Sequence, residues 1–378
     1  MAIYWWILIY TSVVSLFGTI VNKLNRKNPV KSEYYIDKRC ISIFLAVLTF
    51  GLLVFFVGCR SEFNDTYYYR DLFENYITGN LSQIKEIYLS ESKSKYFNII
   101  QCLFKHYISD DYIIWFFAIG LFEIGAIIKT FYKYSCNYFI SSYLYITSGS
   151  FVWLMGGIRQ YFAVCIVLYG LDFLIERKTV RFIALVLFAS LFHVAILIWI
   201  PIYFVCISKP WNLKIILFAI LGVGIIFSLD NFTSILDNVL EETNYSDLTS
   251  HFAEGNGMNY IRFLVTCVPW LLSLVCKKQI AEEDNLFLNI SVNLSFISSV
   301  IYFVGIFTSG IIVGRLPVCF NIVNLILLPW LLEKYYKQIT GAFLKFSCYI
   351  LYFLYFYYDM VVKGTGHYGS EVLNIPYV

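Results

Sequence analysis

Long apolar runs separated by short polar clusters set the pattern of this chain. Eleven such runs lie near residues 3–21, 41–58, 112–131, 138–155, 158–175, 182–207, 213–229, 260–276, 286–308, 313–332 and 342–360. A helix of about 17 to 25 residues, rising about 1.5 Å per residue, covers the ~30 Å hydrocarbon core of a bilayer. Helices are the expected form, because no water inside the bilayer can satisfy an open backbone. The stretch 96–108 is apolar but shorter and reads as an interfacial helix. The N-terminus, MAIYWWILIY, has no basic lead-in and no small-residue cleavage site, so it reads as a retained first span. The pattern predicts an all-α polytopic membrane protein with about 11 or 12 transmembrane or re-entrant helices, forming one integral membrane domain over residues 1–378.

Composition supports this and excludes other classes. Of 378 residues, 59% are hydrophobic and 14% charged, against about one quarter charged in soluble domains. The net charge of +3 is small, and the basic residues sit in clusters between apolar runs rather than along a stripe. Nucleic acid is therefore not an expected partner. The ten cysteines are scattered singly with no CxxC pair and no histidine at ligand spacing, so they read as small apolar residues, and no metal or cofactor is expected.

Basic residues stay on the cytoplasmic side of a membrane. Lys23, Arg26, Lys27, Lys31, Lys38 and Arg39 follow the first run, which turns the N-terminus and residues 59–111 outward. Lys129, Lys133, Arg177, Lys178 and Arg181 then fall inside. A single crossing at 182–207 would put Lys209, Lys214, Lys277 and Lys278 on the wrong sides and make the acidic loop 230–259 cytoplasmic. If instead 182–207 is two short helices that meet around Leu191 to Val194 and return, the later clusters fall inside, the acidic loop is extracytoplasmic, and His193 stands at an outer turn. The alternative is one long helix kinked at Pro201.

Arg177 and Arg181 read as boundary anchors. Arg60, Arg159 and Arg315 differ: all three fall at the outer boundary, each at or near a glycine, and Gly156, Gly157 and Gly314 permit close helix packing. Converging guanidinium groups suit a diphosphate, because the planar fork donates paired hydrogen bonds to its oxygens, and Gln160 adds a neutral donor beside Arg159. In a bilayer the obvious diphosphate is lipid-linked. The first outer loop, SEFNDTYYYRDLFENY, adds Glu62, Asp65, Asp71 and Glu74 as possible bases and tyrosines as sugar-stacking faces. His193 is either a hydrogen-bonded core residue or a further base.

Arg60, Asp65 and Tyr69 as a D-x-x-x-Y step, Arg159-Gln160 with Ala163, Leu191-Phe192-His193, Arg315 and the Pro376-Tyr377 ending together resemble the EpsG family, related to Wzy-type O-antigen polymerases. Phe63-Asn64 and Leu316-Pro317-Val318 depart from the pattern. The resemblance implies an inverting, glycosyltransferase-C-like enzyme of the bacterial plasma (inner) membrane, active on its outer face in polysaccharide or lipopolysaccharide synthesis. It would transfer a growing undecaprenyl-diphosphate-linked oligosaccharide to a second lipid-linked repeat unit, with a chain-length regulator as a further partner. Arg60, Arg159, Arg315 and Gln160 would hold diphosphate, Tyr69 would meet sugar, and Asp65, Glu62 or His193 would be the base. No metal is needed if arginines carry the charge. A lipid-linked oligosaccharide flippase and an O-antigen ligase-like transferase are the rival readings; no internal repeat of the kind common in transporters is visible.

Overall fold

The computed structural model describes residues 2–25, 41–227, 258–308, 310, 313–336 and 338–377. Among them the chain is helical, with extended pairing confined to two isolated bridges, Glu62 with Gly369 and Ser370 with Ile375. Four helical segments are long and apolar enough to cross a membrane: Ala2–Leu24, Tyr112–Tyr134, Leu286–Phe307 and Ile339–Val362. Two bent pairs raise this to six if each is one span: Tyr260–Val275 with Lys277–Glu283, at 74°, and Val313–Cys319 with Asn321–Lys334, at 57°. The polytopic all-helical class is thus established. The acidic loop 230–259 falls almost wholly outside the described residues, as does the basic linker between the first two runs.

Several apolar runs are broken where local chemistry ends a helix. The run 41–58 forms Ile43–Thr49 and Gly51–Gly58, separated by Phe50 at φ −103° and ψ 5°. Phe50 is fully buried against the rings of Phe131, Tyr138 and Tyr145; packing there outweighs helical continuity. The run 138–155 stops after Tyr138–Thr147 and resumes as Val152–Gly156. Gly149, at φ +71°, takes the left-handed conformation that closes a helix at low steric cost.

The chain forms two compact units. The first comprises Met1–Leu171, Ala184–Val194 and Ala342–Val378, and the second Asp172–Ile183 and Ala195–Gly341. In the first, Trp5 packs on Phe353 and Phe356, joining the first and last long helices. Gly58 lies against Phe117, and Gly120 against Val57; an added Cβ would come within 2.4 Å and 2.7 Å of those side chains. Small residues thus bring Gly51–Gly58 and Tyr112–Tyr134 together. The stretch expected at the interface is helical as Lys95–Tyr107, burying Phe97, Cys102 and Phe104 on one face, with Phe97 and Phe104 against Trp115.

In the second unit the helix Leu286–Phe307 is largely buried, and its Asn293 donates to the carbonyls of Cys206 and Ser208 at 2.9 and 2.7 Å. These close the end of Trp199–Cys206. The two limbs of 182–207 lie side by side. Thr179 Oγ1 is 2.6 Å from Tyr203 Oη, Phe182 stacks on Tyr203 at 5.4 Å, and Arg177 donates to the Ile207 carbonyl at 3.1 Å. A straight helix would hold residues 179 and 203 about 36 Å apart, so the chain doubles back. The break is at Leu191 to His193, between Thr179–Ser190 and the 3₁₀ turn Val194–Ile198. Pro201 is not the cause: it stands in the first turn of Trp199–Cys206, where a missing N–H costs nothing.

Candidate functional site

The site is built on the loop that leaves Gly51–Gly58. Arg60 is fully buried, its guanidinium 4.2 Å from the centre of the Phe116 ring. Its Nη1 donates to the Val57 carbonyl and its Nε to Thr66 Oγ1 at 3.1 Å, while Thr66 donates to the Met155 carbonyl at 3.1 Å. Glu123, also fully buried, acts on Arg60 electrostatically. Arg60 Nη2 and both Glu123 carboxylate oxygens are buried without a hydrogen-bond partner among the described residues. Arg60 therefore lies beneath the loop and fixes it. The loop reaches the Val152–Gly156 turn because Gly156 has no side chain: an added Cβ would lie 2.5 Å from Asn64 Nδ2. Asn64 itself is at φ +44°, the left-handed region that asparagine tolerates.

The loop delivers its chemistry through the helix Thr66–Asp71. Arg159, in the first turn of Ile158–Tyr169, donates from Nε to Tyr69 Oη at 2.7 Å and from Nη1 to the Lys93 carbonyl at 2.9 Å. These bonds set the guanidinium plane. Burial pushes the Tyr69 phenol up and Arg159 pulls it partly back, with the net shift upward. The phenol stays protonated near neutrality; its oxygen accepts from Arg159 and its O–H remains a donor. Around this pair lies an open cleft of about 420 Å³, lined by Asp65, Tyr68, Tyr69, Ser92, Lys93, Ser94 and Arg159.

Asp65, Tyr69 and Arg159 are thus brought together from segments ninety positions apart. The other expected residues stand elsewhere. Gln160 is buried next along the helix. Glu62 lines a second cleft, with the C-terminal segment. His193 follows Phe192, whose ring packs on Phe162 at 5.1 Å. Arg315 is exposed on the 3₁₀ turn Val313–Cys319 of the second unit. Among the described residues no group of three or more His, Cys, Asp or Glu is placed to hold a metal ion. Lys93 was not legible beforehand: ESKSK reads as a solvated loop, and only the fold turns it toward Arg159.

The model of the EpsG family matches residues 43–378. This chain belongs to the EpsG family. No curated protein and no solved structure matches it. The match to the EpsG family takes in the whole cleft, from the Arg60 loop to Arg159, and the C-terminal segment. That segment closes the EpsG-family unit from its far end. Tyr4 donates to the Gly366 carbonyl and Tyr368 to that of Phe56, at 2.5 and 2.8 Å. Arg70 grips Glu371 through both oxygens at 2.6 and 2.8 Å, and reaches Glu74 at 3.1 Å. The first of these hydrogen bonds holds the Glu371 carboxyl below its ordinary range.

Proposed function

We propose that this protein is a membrane glycan polymerase that transfers a growing undecaprenyl-diphosphate-linked glycan onto a second lipid-linked repeat unit, on the outer face of the bacterial plasma (inner) membrane. EpsG-family membership supports a polysaccharide polymerase-type membrane protein. The observation that carries the finer reading is the cleft in which Arg159 and Lys93, both cationic, meet Asp65 and the Tyr69 hydroxyl.

In the reaction the bond from the donor sugar's anomeric carbon to the diphosphate oxygen breaks, and that oxygen keeps the electron pair. An acceptor hydroxyl oxygen forms the new bond from the opposite face, inverting the centre, and its proton passes to a carboxylate. Arg159, held flat by Tyr69 and the Lys93 carbonyl, donates to the departing diphosphate as its charge grows, with Lys93 as a second positive charge. Arginine and lysine can carry there the charge that a metal carries in other transferases. Asp65 is the carboxylate of this cleft and our choice of base; Glu62 and His193 are the other candidates. Gln160 and Arg315, which lie outside this cleft, are the remaining diphosphate candidates.

The proposed architecture has 11 or 12 membrane segments in a glycosyltransferase-C-like arrangement, counting Ile158–Tyr169, Thr179–Ser190, Val194–Cys206 and Leu213–Gly224 as short or re-entrant segments supported by protein. Deletion of the gene followed by sizing of the surface glycan tests the function. A polymerase defect leaves single repeat units on the acceptor. Absence of any unit outside would indicate a flippase, and long chains retained on the lipid carrier a ligase; either would overturn the proposal.

A further inference from the structure

The second cleft, of about 510 Å³, is formed by Ser61 and Glu62 of the outer loop and by the segment from Gly369 to Tyr377. Its walls are fixed. Ser61 N–H donates to the Gly369 carbonyl at 2.9 Å, and Gly369 N–H to the Glu62 carbonyl at 2.9 Å. Ser370 and Ile375 exchange both backbone hydrogen bonds at 2.9 Å, with Asn374 at φ +52° in the turn. Glu371 is tied twice, by its N–H to Ser61 Oγ at 2.8 Å and by its carboxylate to Arg70. Gly369 is where the two walls come closest: an added Cβ would lie 3.0 Å from Tyr377 Cβ and 3.2 Å from Glu62 Cβ.

The chemistry of this cleft is opposite to that around Arg159. Its acidic lining residues are Glu62 and Glu371, the latter with its carboxylate held by Arg70, and no Lys or Arg lines it, so it does not suit a phosphate. The half-exposed Tyr377 ring, braced edgewise by His367 at 5.9 Å, supplies an apolar face. The Glu62 carboxylate and Asn374 amide supply hydrogen-bonding groups. An aromatic face beside carboxylate and amide groups matches a sugar ring, which has an apolar C–H face and a rim of hydroxyls. The volume is within the about 300–1,000 Å³ usual for small-molecule sites.

The two clefts share one helix. Tyr69 meets Arg159 in the first, and Arg70, the next residue of Thr66–Asp71, grips Glu371 in the second. Consecutive helical residues point about 100° apart, so one turn of helix lines the first cleft through Tyr69 and anchors Glu371, a lining residue of the second, through Arg70.

We infer that the cleft between Glu62 and the C-terminal segment is a glycan subsite, binding the phosphate-free oligosaccharide part of a lipid-linked substrate against Tyr377, with Glu62 and Asn374 as hydrogen-bond partners. This rests on the polymerase reading for the source of the glycan, which is either the acceptor's repeat unit or the growing donor chain.

The full chain in lipid nanodiscs tests it with two probes: the repeat-unit oligosaccharide released by mild acid from the host's own surface polysaccharide, and inorganic diphosphate. Tyr377→Ala should weaken oligosaccharide binding roughly tenfold while Tyr377→Phe, which keeps the ring, retains it. Glu62→Gln should weaken it less. Diphosphate binding should persist in Tyr377→Ala, which also reports an intact fold, and be lost in Arg159→Ala. A single repeat unit binding as tightly as a longer chain marks the acceptor's glycan, and tighter binding of the longer chain marks the donor's. Unchanged oligosaccharide affinity in Tyr377→Ala, or none in the unmodified protein, overturns the subsite. The polymerase reading is judged separately, by the deletion glycan, and falls if no unit appears outside, if long chains stay on the lipid carrier, or if the full size ladder is retained.

Discussion

Arg60 and Arg159 look alike in the sequence, each an arginine at the outer end of an apolar run near glycine, yet the fold gives them different work. Arg159 lies in an open cleft with its plane set by Tyr69 and Lys93. Arg60 is sealed below the loop, over the Phe116 ring, and coupled electrostatically to the buried Glu123. Local sequence carries the boundary position of an arginine but not the partner a distant helix will present, so Glu123 was not foreseen. Removing one member of a buried charge pair costs about 3–5 kcal/mol, because the other is left uncompensated. Arg60→Ala and Glu123→Ala should each sharply lower the yield of folded protein, and the double variant should recover most of it. Fluorescence-detected size exclusion reads this directly; a double variant as poor as either single one would mean the two charges are not coupled.

At the scale of elements, the long spans and the helix Lys95–Tyr107 are legible because the length of an unbroken apolar run needs no long-range information. The breaks at Phe50 and Gly149 were not, since they depend on rings and turns supplied by other segments. The return around Leu191 to Val194 rests in the sequence on charge alone, and the pairing of Thr179 with Tyr203 bears out the doubling back. Two expectations follow. Gly156→Val should displace the Arg60–Thr66 loop, given the 2.5 Å approach of Asn64, and reduce polymerisation strongly while membrane insertion stays normal; full activity would mean the approach is not needed. The Arg70–Glu371 tie should resist pH. Because Arg70 holds the Glu371 carboxyl below its ordinary value of roughly 4.3, the tie is fully present above that value and is lost as pH falls through the lowered one. Limited proteolysis of the C-terminal segment should therefore be flat from pH 8 to about 5 and rise only in stronger acid.

For the whole molecule, the proposed topology puts Lys178 and Lys209, at the two ends of the doubled-back limbs, together on the cytoplasmic side. Single cysteines introduced at these positions should share accessibility to an impermeant thiol reagent, both protected in intact cells and both labelled after permeabilisation. Labelling of one alone in intact cells would contradict a returning segment. A reporter joined after Val378, by the same proposed topology, should read out as extracytoplasmic. Charge asymmetry makes the doubling back of 182–207 readable in the sequence, whereas the clefts, assembled from segments far apart in the chain, are visible only in the folded unit.

The central claim is that Arg159 holds the diphosphate of a lipid-linked substrate, and the surface-glycan ladder of Arg159 variants tests it most directly. Arg159→Lys keeps the charge but loses the planar fork and the paired bonds to Tyr69 and Lys93, so polymerisation should fall strongly at normal membrane expression. Arg159→Ala should fall further, by roughly 30- to 1,000-fold overall, corresponding to a lost contact of about 2–4 kcal/mol. Near-normal ladders in both variants at matched expression would contradict the account and leave Arg159 as a boundary anchor.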